Sequence, residues 1–218
     1  MSSSRDRSER PYHHGDLRRS LVEAGLELLE QRGLSGISLR AAARRAGVSH
    51  AAPYHHFADK ADLVEALAVE CLAGFTATLQ EAWNDTQGSS LHRLRAVGIA
   101  YVGYALERPE RFRLMNWPEW HRRPQGQAAT TGSDAPSPQL AARASFDVLL
   151  TAIRACQEDG LVYRGDADRI ALAAWALVHG LAVLAIEGRV GSGKVGKKEG
   201  ERLAHEVTEV FDRGLMAR

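Results

Sequence analysis

The sequence has little cysteine, since Cys71 and Cys156 are the only two among 218 residues. A secreted domain held together by disulfides carries more cysteines than two thiols that stand 85 residues apart. The N-terminus also lacks the apolar stretch of a signal peptide. We therefore expect reduced cysteines in a helical core and a cytoplasmic protein.

Neither sign of charge dominates the chain, with 28 Lys and Arg against 27 Asp and Glu. The two parts of the chain differ slightly. Residues 1–60 carry 10 basic and 7 acidic side chains and five of the nine histidines, whereas residues 61–218 carry 18 basic and 20 acidic ones. A mildly basic N-terminal part fits a polyanionic partner, although chance explains so small an imbalance equally well.

The sequence shows no catalytic signature such as a Ser/His/Asp set or paired carboxylates. Residues 188–195 approach a phosphate-binding P-loop, but Val195 stands where Ser or Thr must bind magnesium, and an apolar helix precedes the glycines instead of a strand. The pair His13 and His14 lacks further ligands nearby, which favours a solvated helix entrance over a metal site. We expect no cofactor, no bound metal and no enzyme.

Long apolar runs are also scarce, and the only one extends from Ile170 to Ile186 with His179 as its single polar side chain. This run is shorter than the roughly 20 residues of a membrane span and is rich in alanine. A helix that is apolar on all sides must be buried on all sides. One chain of this size rarely surrounds a helix completely, so the run predicts cover by a partner chain and no membrane.

The last predicted helix, over residues 197–215, carries an apolar stripe at Leu203, Val207, Val210 and Phe211. Together with the helix that Asp166 is expected to cap, it offers two adjacent helices for a four-helix bundle across a two-fold axis. The sequence therefore predicts a homodimer formed through residues 166–187 and 197–215.

The periodicity of apolar residues predicts an all-α protein of about nine helices. We expect a disordered arm over residues 1–14, a small helical domain over 15–60 and a larger helical domain over 61–218. Helices are predicted at about 16–32, 39–46, 50–57, 59–83, 91–107, 110–116, 139–158, 166–186 and 197–215, with loops at 122–138 and 188–195.

Residues 38–57 have the pattern of a helix-turn-helix. Ser38 is placed to cap the first helix, and Gly47 follows its last turn, where a residue without a Cβ enters the left-handed region at little cost. Val48 is placed to fill the corner, and Ser49 to cap a second helix over 50–57. The second helix of such a motif enters the major groove of DNA.

The segment Ala-Gly-Val-Ser at 46–49, followed by Tyr54, His56-Phe57 and Lys60, resembles the DNA-binding domain of TetR-type bacterial repressors over about residues 15–67. Two positions depart from the family pattern. Pro53 stands where an aliphatic residue is usual, and Ala43 where Ile or Val is usual. Pro53 is expected to disturb the first turn of the second helix, because it lacks an N–H and its ring crowds the preceding turn.

The resemblance implies double-stranded DNA as a partner, read by the second helix. Phe57 is assigned to the core. The implied DNA-binding residues are Arg40, Ser49, His50, Ala51, Tyr54, His55, His56 and Lys60, with Ser49, His50, Ala51 and His55 near bases and the other four at phosphates. The two reading heads of a dimer are expected about one DNA turn apart, roughly 34–36 Å, on a pseudo-palindrome.

The segment Trp175-Ala-Leu-Val-His179-Gly180 looks like a signature found in the C-terminal domain of some TetR relatives. It implies a ligand-responsive repressor with an apolar pocket for a small-molecule effector. Most aromatic side chains of the body fill a core in any such protein, and His179 as a satisfied buried histidine is the simpler interpretation. The candidate effector-binding residues are Phe75, Tyr101, Tyr104, Phe112, Trp117, Phe146, Trp175 and His179. The alternative is a helical ligand carrier or enzyme with an incidental helix-turn-helix.

Overall fold

The computed structural model describes residues 14–118, 120, 136–190, 193 and 195–215, with side chains from Leu17 onward. The all-α fold is confirmed, and eight α-helices lie wholly within these residues, close to the nine expected. They are α1 (His14–Arg32), α2 (Leu39–Arg45), α3 (Lys60–Asp85), α4 (Ser90–Glu107), α5 (Pro109–Met115), α6 (Pro138–Glu158), α7 (Ala167–Ile186) and α8 (Lys197–Leu215). Two short 3-10 helices cover Leu34–Gly36 and Ala52–His55.

Several sequence expectations lie partly outside this range. The expected arm over 1–14 is outside it except for His14, where α1 begins. Residues 122–135 of the expected loop at 122–138 are outside it as well, as are positions 191, 192 and 194 of the glycine-rich segment.

The chain divides into two compact units, one over Met1–Val64 and the other over Glu65–Arg218. The first unit has a core of aliphatic side chains from α1 and α2, closed by Phe57, whose side chain is 2% exposed. Ala42 and Ala43 of α2 are fully buried. The small side chain of Ala43 thus lies inside the core of this unit, where α2 packs against α1.

Two predicted helix starts are confirmed in this unit. The Ser38 hydroxyl accepts from the amide of Ala41 at 3.1 Å, as an N-cap does. At the start of α3 the Asp59 carboxylate accepts from the amide of Asp62 at 3.0 Å, and the Asp62 carboxylate accepts from the amide of Ala58 at 3.0 Å. This reciprocal pair satisfies two amides that the helix itself leaves unpaired.

The predicted second helix over residues 50–57 is wrong in length and type. The structure has a 3-10 helix over Ala52–His55 whose N-cap is Ala51, without a side-chain hydrogen bond, so Ser49 does not cap it. An α-helix here would require an amide proton at position 53 bonded to the carbonyl of Ser49, and Pro53 has none. The carbonyl of Ser49 accepts from Ala52 instead, at 3.1 Å.

The second unit is built around α4, which packs against α5, α6, α7 and α8. One apolar cluster joins α4, α6, α7 and α8. Its buried members are Leu94, Leu150, Ala152, Ile153, Cys156, Val162, Ile170, Ala171 and Leu215. Cys156 lies in this cluster, and Cys71 is buried on α3; both thiols are free. The expectation of reduced core cysteines is confirmed.

Helix α7 is buried on one face only. Ala171, Ala174 and Val178 face the core, whereas Leu172 and Leu184 are 54% and 37% exposed in the single chain. Among the described residues it is the one helix that is long and apolar enough to cross a membrane. A buried core helix can have the same length and composition. Its uncovered side is apolar, as expected of a helix that a partner completes.

Candidate functional site

The second element of the helix-turn-helix presents an exposed polar surface in the first unit. Phe57 and Pro53 anchor it from below, because both are buried. The eight sequence-predicted DNA-binding residues lie as follows: Arg40, Ser49, His50, Ala51, Tyr54, His55 and Lys60 are exposed, and His56 is half-buried. Tyr54 is 55% exposed, so its hydroxyl is open to a partner.

Lys60 stands at the first turn of α3, and its ammonium group donates to the carbonyl of Leu34 at 3.4 Å. This is a long bond at an exposed position, so the side chain is free to turn toward an anion. Arg18 is half-buried, with its guanidinium 5.4 Å from the ring centre of Phe57. The surface therefore combines an exposed cation, a tyrosine hydroxyl and imidazoles, which are groups that bind phosphates and base edges.

The second unit contains a cavity of about 590 Å³ between α3, α4, α6, α7 and α8. This volume lies within the range of pockets that hold drug-sized molecules. Of the eight candidate effector-binding residues, Phe75, Tyr101, Phe146, Trp175 and His179 line it. Much of the remaining wall is aliphatic, from Leu72, Leu79, Leu94, Val97, Leu149, Leu172, Leu177 and Val178.

The other three candidates are not among the lining residues. Tyr104 donates its hydroxyl to the carbonyl of Cys71 at 3.1 Å and so ties α4 to α3. Phe112 packs against Tyr101 and His179 at 5.8 and 5.6 Å between ring centres. Trp117 packs edge-to-face on Trp120, and it is Trp120 that reaches the cavity.

Three polar side chains form a chain of hydrogen bonds at one wall of the cavity. The indole N–H of Trp175 donates to the hydroxyl of Tyr101 at 3.3 Å, and that hydroxyl lies 2.9 Å from Nδ1 of His179. Burial raises the pKa of the Tyr101 hydroxyl, so Tyr101 is neutral. Burial also lowers the pKa of His179 below its usual 6.5, because an imidazolium loses hydration there.

The charged side chains at the cavity are paired. Arg95 on α4 binds the carboxylate of Asp212 on α8, with N–O distances of 3.0 and 2.8 Å. Arg143 on α6 binds Asp147 one turn further along, at 2.9 Å. The sequence pattern gave no signal for Asp212 as a wall residue, although it lies four positions after Thr208 on the buried side of α8.

Within the described part of the chain, the side chains of His, Cys, Asp and Glu form no group of three that could hold a metal ion. The cavity is lined by aromatic rings, aliphatic side chains and one neutral hydrogen-bonding chain. It offers shape, apolar surface and a few oriented polar atoms, which is the usual make-up of a small-molecule site.

Each of the two units contains a segment that matches a known protein family. Residues 21–67 match the family described as bacterial regulatory proteins, tetR family. Residues 94–211 match the family described as tetracyclin repressor-like, C-terminal domain. The second match alone covers more than half of the chain.

Individual relatives agree with these matches. The chain is 41% identical over 56 residues to the tetracycline repressor protein class D of Escherichia coli, which is 26% of either chain. It is 31% identical over 96 residues to the HTH-type transcriptional regulator Mb1846 of Mycobacterium bovis, covering 44% of this chain and 41% of that one. The match therefore spans less than half the length of these curated relatives.

Solved structures extend the likeness over more than nine tenths of the chain. A protein of unknown function from Rhodococcus sp. RHA1 shares 36% identity, with a TM-score of 0.78 over 96% of this chain and 100% of that one. A putative TetR-family transcriptional regulator from Mesorhizobium loti gives a TM-score of 0.72 at 18% identity, over 94% of this chain and 100% of that one. At that identity the likeness shows the fold alone.

Proposed function

The chain belongs to the TetR family of bacterial regulatory proteins, and from that premise we propose that it is a transcriptional repressor that a small apolar molecule releases from a pseudo-palindromic operator. The observation that carries this proposal is the course of α3. Its first turn carries Lys60, which we assign to DNA binding, and its later turns carry Leu72, Phe75 and Leu79, which line the cavity.

One continuous helix thus carries residues of both functions. A ligand changes DNA affinity only if it binds one conformation better than another. A ligand that displaces the side chain of Phe75 would favour a different position of α3, and the first turn of that helix would move with it. A tenfold weakening of DNA binding requires about 1.4 kcal/mol of coupling, and by reciprocity the operator weakens ligand binding by the same factor.

The proposed homodimer uses α7 and α8. The support is the pattern of exposure in the single chain, where Leu172 and Leu184 of α7 and Val210 of α8 are open to solvent, the last at 72%. Obligate interfaces are apolar and bury such side chains. Two copies joined here would present two reading surfaces to one DNA duplex, as a palindromic site requires.

The carrier or enzyme alternative has less support. Membership of a regulator family favours a DNA-binding role, and TetR-family regulators act in the cytoplasm. The cavity wall offers no pair of carboxylates or nucleophile with an adjacent base among its described residues. No separate observation favours turnover over binding.

The experiment starts from selection of genome fragments by the full-length protein, followed by footprinting of the bound DNA. Calorimetry then titrates a candidate ligand into the protein with and without operator. A repressor of this kind binds the ligand more weakly in the presence of operator. Equal affinities in the two titrations would remove that ligand as the inducer, and absence of any footprint would overturn the proposed function.

A further inference from the structure

The hydrogen-bond chain Trp175–Tyr101–His179 fixes the direction of each proton. An indole N–H can only donate, so the Tyr101 oxygen accepts from Trp175. The Tyr101 hydroxyl proton then needs an acceptor of its own. Among the described residues the hydroxyl has one other hydrogen-bond partner, Nδ1 of His179 at 2.9 Å.

The alternative arrangement, in which Nδ1–H donates to Tyr101, would leave the hydroxyl proton unpaired. Tyr101 is 6% exposed, and a buried donor without an acceptor costs about 1–3 kcal/mol. The hydroxyl therefore donates to Nδ1, which carries no proton. His179 is then neutral with its proton on Nε2, which agrees with the effect of burial on its titration.

The other interactions of His179 involve ring faces. Trp175 and Phe112 lie at 5.4 and 5.6 Å between ring centres in tilted geometry. Since Nδ1 is occupied and the ring is half-buried in the cavity wall, Nε2–H is the hydrogen-bonding group that the imidazole has left for a cavity occupant. It is an uncharged donor whose ring is held in place on three sides.

The charged side chains around the cavity already pair with one another, so the described part of the wall offers no unpaired charge to an ionic occupant. Arg95 and Arg143 line the wall, but each already binds a carboxylate, Asp212 and Asp147 respectively. A carboxylate ligand would have to compete with those partners. An ammonium ligand would meet two guanidinium groups and one carboxylate that is already paired.

We propose that the effector of this cavity is a neutral molecule with an apolar body and a hydrogen-bond acceptor, a carbonyl oxygen above all, which receives the Nε2–H of His179. The regulatory role of this ligand rests on the proposed function, whereas its chemical class follows from the residues of the cavity. Tyr101 acts as a positioning residue, because it sets the tautomer of His179.

The first test needs no ligand. Long-range 1H–15N spectra of the full-length protein labelled at histidine distinguish a protonated ring nitrogen from an unprotonated one, and His179→Gln identifies the signals. We expect Nδ1 without a proton and Nε2 with one at pH 7.5. In Tyr101→Phe the hydroxyl is lost, and we expect a mixture of tautomers. A protonated Nδ1 in the unsubstituted protein would overturn the proposal.

The second test uses benzophenone and diphenylmethane, which have similar shapes and differ in the carbonyl group. Both are titrated into the protein and followed through the indole N–H signals of Trp120 and Trp175. Because solubility in water also differs, the measured quantity is the ratio of the two affinities. We expect His179→Phe to reduce the preference for the ketone by about 2- to 12-fold, the range that one net hydrogen bond provides.

A matched control is Phe146→Leu, which alters the apolar wall and leaves the polar chain intact. It should weaken both probes and preserve their ratio. An unchanged ratio in His179→Phe, or failure of both probes to bind, would overturn the ligand class. The ketone preference could depend on His179 while the bound ketone fails to weaken operator binding. That result would support the ligand class and overturn the proposed release of a repressor from DNA.

Discussion

Arg95 on α4 binds Asp212 on α8 through two N–H groups that share one carboxylate oxygen, across 117 positions of sequence. The carboxylate is nearly sealed, with 4% of the Asp212 side chain exposed, while Arg95 retains 22%. Burial raises the pKa of Asp212, and the nearby guanidinium offsets part of that rise. The pair joins the cavity wall to the helix that we assign to the dimer.

Breaking this pair is expected to be costly. Asp212→Ala leaves a partly buried guanidinium without its counter-ion, and we expect a loss of about 2–3 kcal/mol, below the 3–5 kcal/mol of a fully buried pair because Arg95 still reaches water. Chemical denaturation measures it. The control is Asp147→Ala, whose pair with Arg143 is more than half exposed and should be worth at most about 1 kcal/mol. Equal losses in the two variants would show that burial does not strengthen the inner pair.

Neutral His179 predicts a dependence of stability on pH. Burial depresses the pKa of His179 in the folded protein below 6.5, so the unfolded chain binds more protons in the window below pH 6.5. The contribution is present above pH 6.5 and is lost as the pH falls through the folded value. The free energy of unfolding at pH 5.0 and 7.5 should therefore differ less in His179→Gln than in the unsubstituted protein. An identical pH profile in the variant would contradict a buried, neutral imidazole.

Lys60 is expected to bind a DNA phosphate. Lys60→Ala should weaken binding to all sequences alike and lower the slope of log K against log salt by about 1 for each reading head, because one fewer counterion is released. Affinities measured over a series of salt concentrations test this. Arg154→Ala is the control, since Arg154 is an exposed cation of the second unit near Asp168. If the slope is the same in Lys60→Ala as in the control, Lys60 is not at the DNA.

Two valines of α8 are expected to lie in the dimer. Val210 is 72% exposed in the single chain, and Val207 is half-buried one turn before it. Val207→Glu with Val210→Glu should place unpaired charge in an apolar interface and produce monomers that bind DNA poorly. Sedimentation measures the mass. Lys198→Glu, at an exposed position on the same helix, should remain dimeric, and a dimer in the double variant would assign the interface to another surface.

The helices were predictable because their apolar spacing and caps are local. Ser38, Asp59 and Gly47 mark helix ends in the sequence, and the structure uses each of them, Gly47 with a φ of +70°. The long helix that became α3 ends within two residues of the predicted end. Periodicity and capping act over a few residues, and no tertiary contact is needed to find them.

The cavity wall was predictable only in part. Aromatic side chains on inward helix faces were natural candidates, and the side chains of Phe75, Tyr101 and Phe146 do reach the cavity. The rotation of each helix about its axis decides which aromatic side chains line the cavity and which pack behind them. No local sequence pattern determines that rotation. Phe112 packs behind Tyr101 for this reason, and Trp120 takes the place expected of Trp117. Asp212 was missed because its partner is 117 positions away.

Pro53 has a consequence for any attempt to infer the operator from relatives. A 3-10 helix rises about 2.0 Å per residue against 1.5 Å in an α-helix, and side chains three apart stand directly above one another. Over Ala52–His55 the side chains therefore have a different spacing along the helix axis from those of an α-helical reader. We therefore expect residue-to-base correspondences taken from an α-helical reader to misplace His55, the residue that we assign near a base. The half-site of this protein has to be measured on its own DNA.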